Sequence, residues 1–204
     1  MIFGEHDNDR RALQHLVAAA APHAPPCRLL GRPLVLIRGR EAAAAHKNAV
    51  ELGRQVRAQQ VRDDVRAVIA HQDCDALEPA HLSAAAEIER RLAQAGAPQP
   101  IAAAPAWETE TWLFLWPAAA AAVCQGWAGR LDRYRGRDLG RIEHAKEELK
   151  KALKPRRDGE GREYRESDAP AIAGKVKELG LIDQRAAKSA SFECFLEKVR
   201  AASW

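Results

Sequence analysis

Up to Pro105 the chain alternates short apolar runs with stretches of helical periodicity, and after Pro105 the short runs stop. The runs are Met1-Ile2-Phe3, Leu34-Val35-Leu36-Ile37, Val65 to Ala70 and Ile101 to Ala104. Each is too short to be a helix. Between them, Leu13, Leu16, Val17 and Ala20, then Ala45, Ala49, Leu52 and Val56, then Ala85, Ile88, Leu92 and Ala95 fall at spacings of three and four. Short apolar strands alternating with amphipathic helices predict a parallel sheet covered on both faces. The remainder reads as helical over 108–123, 138–153, 168–179 and 189–202, with a polar loop from Arg156 to Asp168. The expected fold class is therefore α/β: a roughly four-stranded, mainly parallel sheet between helices over 1–127, and a basic helical extension over 128–204 packed on it.

Composition limits the alternatives. The longest apolar stretch, Thr111 to Cys124, is broken by Pro117 and too short for a spanning helix, which needs roughly 20 residues. Acids at Glu5, Asp7 and Asp9 stand where a secretory signal has its basic region. The expectation is a cytoplasmic protein with no membrane partner. Cys27, Cys74, Cys124 and Cys194 form no C-x-x-C pair and no cluster with histidine, which argues for reduced thiols rather than zinc or disulfides. The formal net charge is only +4, but residues 128–165 carry thirteen Lys and Arg against eight Asp and Glu. Within them Lys150, Lys151, Lys154, Arg156 and Arg157 form a block without acids. Such a block suits a polyanion, or else a solvated helix end.

Acids collect at the carboxyl ends of three of the four expected strands, where open parallel sheets build their sites. Glu5 follows the first, Asp73 and Asp75 the third, Glu108 and Glu110 the fourth. Side chains two apart on an extended segment point the same way, so Asp73 and Asp75 can aim two carboxylates at one point. Hard cations such as Mg²⁺ or Mn²⁺ take oxygen ligands of this kind. Each piece also has a plainer reading. A lone D-x-D is common, Glu5 and Asp7 complement a helix dipole, and Glu108 and Glu110 open a helix on which Trp112 and Trp116 pack. Convergence favours the metal: five acids at one edge repel unless a cation neutralises them.

Gly4-Glu5, Asp9-Arg10-Arg11-Ala12-Leu13 and a strand ending in Asp73-Cys74-Asp75 resemble the TOPRIM domain of topoisomerases, primases and OLD-family nucleases. Pro105-Ala106-Trp107-Glu108-Thr109-Glu110-Thr111-Trp112-Leu113-Phe114 resembles the P-x-x-E-x-E-x-W-L-L stretch of small stand-alone TOPRIM-like proteins of bacterial defence loci. Leu153-Lys154-Pro155, Tyr164 to Pro170 and Ser189-Ala190-Ser191-Phe192 are similar to further segments of that group. The resemblance implies a Rossmannoid TOPRIM-like core and metal-dependent phosphodiester hydrolysis. It implies Glu5 as the catalytic acid or base, Asp73 and Asp75 as the metal pair, and Glu108 and Glu110 as ligands of a second ion. It also implies a place in anti-phage or anti-plasmid defence beside an ATPase partner, since this sequence has no Walker motif of its own. Lys150, Lys154, Arg156 and Arg157 are then the residues expected to hold a DNA or RNA backbone, with a homo-oligomer as a further possibility. Two features depart from the family pattern: the first strand is only three residues, and Leu115-Trp116-Pro117 stands where an acid often follows the tryptophan.

Two other readings compete. One is a catalytically degenerate TOPRIM-like subunit that binds nucleic acid or scaffolds a complex. The other is a different acid-rich α/β protein. A haloacid-dehalogenase-like phosphatase places its D-x-D after the first strand rather than the third. A receiver domain needs a strand-end lysine, whereas here the fourth run ends at Pro105.

Overall fold

The computed structural model describes residues 1–30, 42–155 and 161–204. Strand β1 (Ile2–Phe3) leads into α1 (Asp7–Ala20). Then come α2 (Ala42–Gln60), β2 (Val68–His71), α3 (His81–Gln94) and β3 (Pro100–Ala103). The rest is helical: α4 (Glu110–Leu113), α5 (Pro117–Val123), α6 (Ala145–Leu153), α7 (Ala169–Glu178) and α8 (Ala190–Ala201). Among the described residues the sheet has three strands, all parallel, in the order β1-β2-β3. A single parallel bridge, Ile2 to Leu29, extends it beyond β1 through Ile2 N to Arg28 O at 2.9 Å and Leu30 N to Ile2 O at 3.3 Å. The expected strand at Leu34–Ile37 lies outside the described residues.

Strand periodicity explains the layering. In register across the sheet, Ile2, Ile69 and Ile101 point to one face, while Phe3, Ala70 and Ala102 point to the other. Both faces are buried, as a parallel sheet requires. On the second face Leu52 and Val56 of α2 and Ile88 and Leu92 of α3 complete a small core. On the first face Leu13, Leu16 and Val17 of α1 meet Ile172, Ala173 and Val176 of α7 and Phe192, Phe195 and Val199 of α8. The same apolar cluster takes in residues on either side of position 127, so the C-terminal helices cover a face of the sheet itself.

Aromatic residues close that cover. The Trp112 ring stacks on Phe195 at 5.2 Å between centroids, and Trp116 meets Phe192 edge-on at 5.0 Å. Their indole N–H groups are satisfied by Ser191 Oγ at 3.0 Å and Leu181 O at 2.9 Å. The Ser-x-Ser-Phe segment thus anchors the tryptophan segment: Ser191 Oγ also accepts from Ala106 N at 3.2 Å.

Three expected elements are corrected. The single helix over 108–123 is two helices, because Pro117 has no N–H to continue α4 and instead opens α5 at its first turn. The helix over 138–153 shrinks to α6. It is preceded by a 3₁₀ turn at Leu139–Arg141, where Asp138 accepts from Gly140 N at 3.1 Å, and by His144 in the left-handed region at φ +48°. The strand at Val65–Ala70 becomes Val68–His71, beginning where Val68 finds its partner Pro100 on β3. The four cysteines are partly buried and form no disulfide, and no described helix is long and apolar enough to cross a membrane.

Candidate active site

The loops leaving β1, β2 and β3 converge at the carboxyl edge of the sheet. Hydrogen bonds beyond the strands fix two of them against each other: Gln72 N to Ala103 O at 3.0 Å, Cys74 N to Pro105 O at 3.2 Å, Asp75 N to Trp107 O at 3.0 Å and Trp107 N to Ala76 O at 2.9 Å. The D-x-D loop is therefore held along the segment that carries Glu108 and Glu110. At the β1 end, Gly4 permits close approach. A Cβ there would lie 2.8 Å from Arg10 Cγ and 3.4 Å from His71 Cβ.

His71, the last residue of β2, organises the site and is fully buried. Its Nε2 lies 2.7 Å from Thr109 Oγ1 and 3.2 Å from Asp73 Oδ1, and its Nδ1 faces Asp9 Oδ2 across 3.9 Å. Burial opposes charge on the ring, but Asp9, Asp73 and Glu5 together outweigh it and raise its pKa to about 9. Asp73 Oδ1 also accepts from Thr109 N at 3.1 Å. Glu110 is buried and accepts from the buried Tyr164 hydroxyl at 3.1 Å. Burial, reinforced by the charges of Asp9, Asp73 and Glu108, lifts its carboxyl to about 7. Burial and then Glu110 hold the Tyr164 phenol well above its usual range.

Four expected site residues thus share one electrostatic neighbourhood: Glu5 and Asp73 through His71, and Glu108 with Asp73 through Glu110. Asp75 is exposed in the loop, in the left-handed region at φ +47°. Glu108 has a structural partner. Its Oε2 accepts from Lys146 N in the first turn of α6 at 2.8 Å, and its Oε1 lies 3.7 Å from Lys146 Nζ. Among the described residues no three His, Cys, Asp or Glu side chains are arranged to hold one metal ion. Of the basic block, Lys150 and Lys154 lie on or just after α6, and Arg156 and Arg157 lie outside the described residues.

Sequence reasoning passed over His71, Asp9, Thr109, Tyr164 and Lys146 as site groups. His71 and Thr109 carried a usable signal, since each is a polar residue within two positions of a strand-end acid. Asp9 is indistinguishable in sequence from a residue complementing a helix dipole. Tyr164 joins the site only through the fold.

No protein-family model, no curated protein and no solved structure matches the chain.

Proposed function

We propose that this protein is a metal-dependent phosphodiester hydrolase, a nuclease of TOPRIM type acting in prokaryotic defence beside an ATPase. The observation that carries the reading is the gathering of acids at the carboxyl edge of a parallel sheet, with Asp9, Asp73 and Glu5 around the buried His71 and Asp9, Asp73 and Glu108 around the buried Glu110. Burial first, and then the neighbouring carboxylates, raise the Glu110 carboxyl to about 7.

The donor set is all oxygen, which fits Mg²⁺ or Mn²⁺. Mg²⁺ commonly keeps several waters and binds through one or two carboxylates plus substrate phosphate, so a three-residue cage is not required. Asp73 would hold the ion, with Asp75 or Glu110 beside it. Bound there, the metal supplies charge neutralisation on the phosphate and a more acidic water. The chain's own work is positional. Thr109 and His71 fix the Asp73 carboxylate, Tyr164 fixes Glu110, and Glu5 stands at the β1 edge to take or give a proton. The defence setting and the ATPase rest on the family resemblance of the segments around Trp112 and Ser191.

The test is cleavage of labelled DNA and RNA by wild type and Asp73→Asn, with Mg²⁺ or Mn²⁺ and any ATPase found encoded beside the gene. Asp73→Asn keeps an oxygen for Thr109 N and removes one negative charge. Cleavage is expected to drop by about a hundredfold or more, equivalent to about 2.7 kcal/mol, with thermal stability unchanged or raised. Equal phage protection by both forms would reject catalysis and leave a scaffolding subunit.

A further inference from the structure

Helix α6 carries Lys146 and Lys150 four residues apart, and Lys154 follows at the same interval just past its end. On a helix such positions drift only about 40° per step and rise about 6 Å, so they line one face. The stripe starts at the acid edge, because Lys146 is the residue whose amide and ammonium both meet Glu108.

Two acids from a distant segment stand against this stripe. Glu166 Oε1 lies 3.6 Å from Lys146 Nζ and 4.0 Å from Lys150 Nζ, and Glu163 Oε1 lies 3.8 Å from Lys154 Nζ. Their segment is pinned from below. The Tyr164 side chain is buried with its hydroxyl on Glu110. Arg162 forms a two-pronged pair with Asp168 at 2.6 Å on each prong and lies over the Trp127 ring at 4.9 Å. Arg165 N donates to Asp168 at 2.8 Å. An anchored backbone therefore presents two carboxylates to three ammonium groups. The pairs themselves are loose and open to solvent, a class worth about 0–1 kcal/mol each. They are held in place by the chain, yet readily exchanged for another anion.

We infer that the Lys146–Lys150–Lys154 stripe is the track along which the phosphates of a nucleic-acid strand run to the acid edge, and that Glu163 and Glu166 occupy it as internal phosphate mimics which the strand displaces. The inference rests on the nuclease reading for the direction of the track. The binding of a strand to the stripe stands apart from that reading.

The experiment is binding of a labelled DNA duplex, a single-stranded DNA and an RNA of the same sequence to the full chain, across a salt series with EDTA present so that no cleavage occurs. Lys150→Ala with Lys154→Ala is expected to weaken binding at least about fivefold at low salt and to reduce the log–log salt slope by about 2. Glu163→Gln with Glu166→Gln is expected to tighten binding about threefold or more, since two competing charges leave the track. Unchanged or weaker binding by the glutamine pair, at unaltered melting temperature, would overturn the mimic. Unchanged binding by the lysine pair, or no binding of any of the three probes by wild type at low salt, would overturn the track. Asp73→Asn, compared for binding in EDTA and separately for cleavage with Mg²⁺ or Mn²⁺, separates the two readings. A variant that binds as wild type but does not cleave upholds both, whereas intact binding by a wild type that never cleaves upholds the track and rejects the nuclease.

Discussion

Glu78 and Glu110 are both buried carboxylates near the carboxyl edge of the sheet, and their surroundings are opposite. Glu78 accepts from Ser189 Oγ at 3.2 Å, Ala190 N at 3.0 Å and Ser191 N at 2.8 Å, at the start of α8. Gly140 makes room for it, since a Cβ there would fall 2.1 Å from Glu78 Cδ. Glu110 has the Tyr164 hydroxyl and, around that, like charges from Asp9, Asp73 and Glu108. Burial of an acid does not by itself mark a site. Donors turn Glu78 into a clamp between the β2–α3 loop and the last helix, while burial and then the crowding of like charges leave Glu110 poised to release or gain a proton near neutrality.

The sharpest way to break that contrast is to remove the clamp. Glu78→Ala leaves the Ala190 and Ser191 amides at the start of α8 without their acceptor, and leaves the Ser189 hydroxyl only Ser191 Oγ at 3.0 Å. Each buried unsatisfied group costs about 1–3 kcal/mol, so a total loss of about 2 kcal/mol or more is expected in chemical denaturation. Glu110→Gln, by contrast, is expected to fold as well as wild type or better. Equal losses from the two substitutions would erase the distinction.

Proton linkage gives a second, intermediate effect on the metal-free protein. His71 is raised to about 9 and Glu110 to about 7, so the folded state binds both protons more tightly than the unfolded chain does. Stability from each is then complete below its unfolded value and is lost as pH rises through its folded value. Glu110 acts between roughly 4.3 and 7, and His71 between roughly 6.5 and 9. Melting in EDTA should therefore fall from mildly acidic to alkaline pH, with a slope up to about 1.4 kcal/mol per pH unit per proton. His71→Asn should flatten the alkaline limb and Glu110→Gln the acidic one. A rise in stability over the same range would contradict the charge assignment of the cluster.

These residues also separate what was legible in the sequence from what was not. Ile2, Ile69 and Ile101 announced their strands because a buried parallel sheet needs apolar side chains on both faces. Glu5, Asp73, Glu108 and Glu110 announced an edge because each stands within a few residues of the end of such a run. Helix limits were legible where local chemistry fixes them, as with α7 and α8, each within two residues of expectation. They were lost at Trp116-Pro117 and at Asp138 to His144, where a proline start and a left-handed residue divide a continuous apolar pattern. His71, one position past the expected strand end, carried a signal of its own, but its setting between Asp9 and Thr109 is made only by the fold. Glu78 and Tyr164 were illegible because their partners lie 111 and 54 residues away along the chain.

Glu108 stands between the two kinds of carboxylate, and it yields the smallest effect. By position it belongs with Asp73 and Glu110, whose electrostatics it enters. By contact it belongs with Glu78, since it accepts from a backbone amide in the first turn of α6, where the helix dipole also favours a negative group. Removing such an acceptor altogether typically costs about 1 kcal/mol, whereas exchanging it for a neutral one costs a fraction of that. Glu108→Gln keeps an oxygen for Lys146 N and gives up the charge facing Lys146 Nζ at 3.7 Å. If Glu108 is chiefly the cap of α6, this variant should melt within about 0.5 kcal/mol of wild type and cleave within about threefold. Glu108→Ala should lose the larger stability increment and shift α6, carrying Lys146 and Lys150 with it. A hundredfold loss of cleavage in Glu108→Gln, at unchanged stability, would instead move Glu108 among the residues that hold the metal.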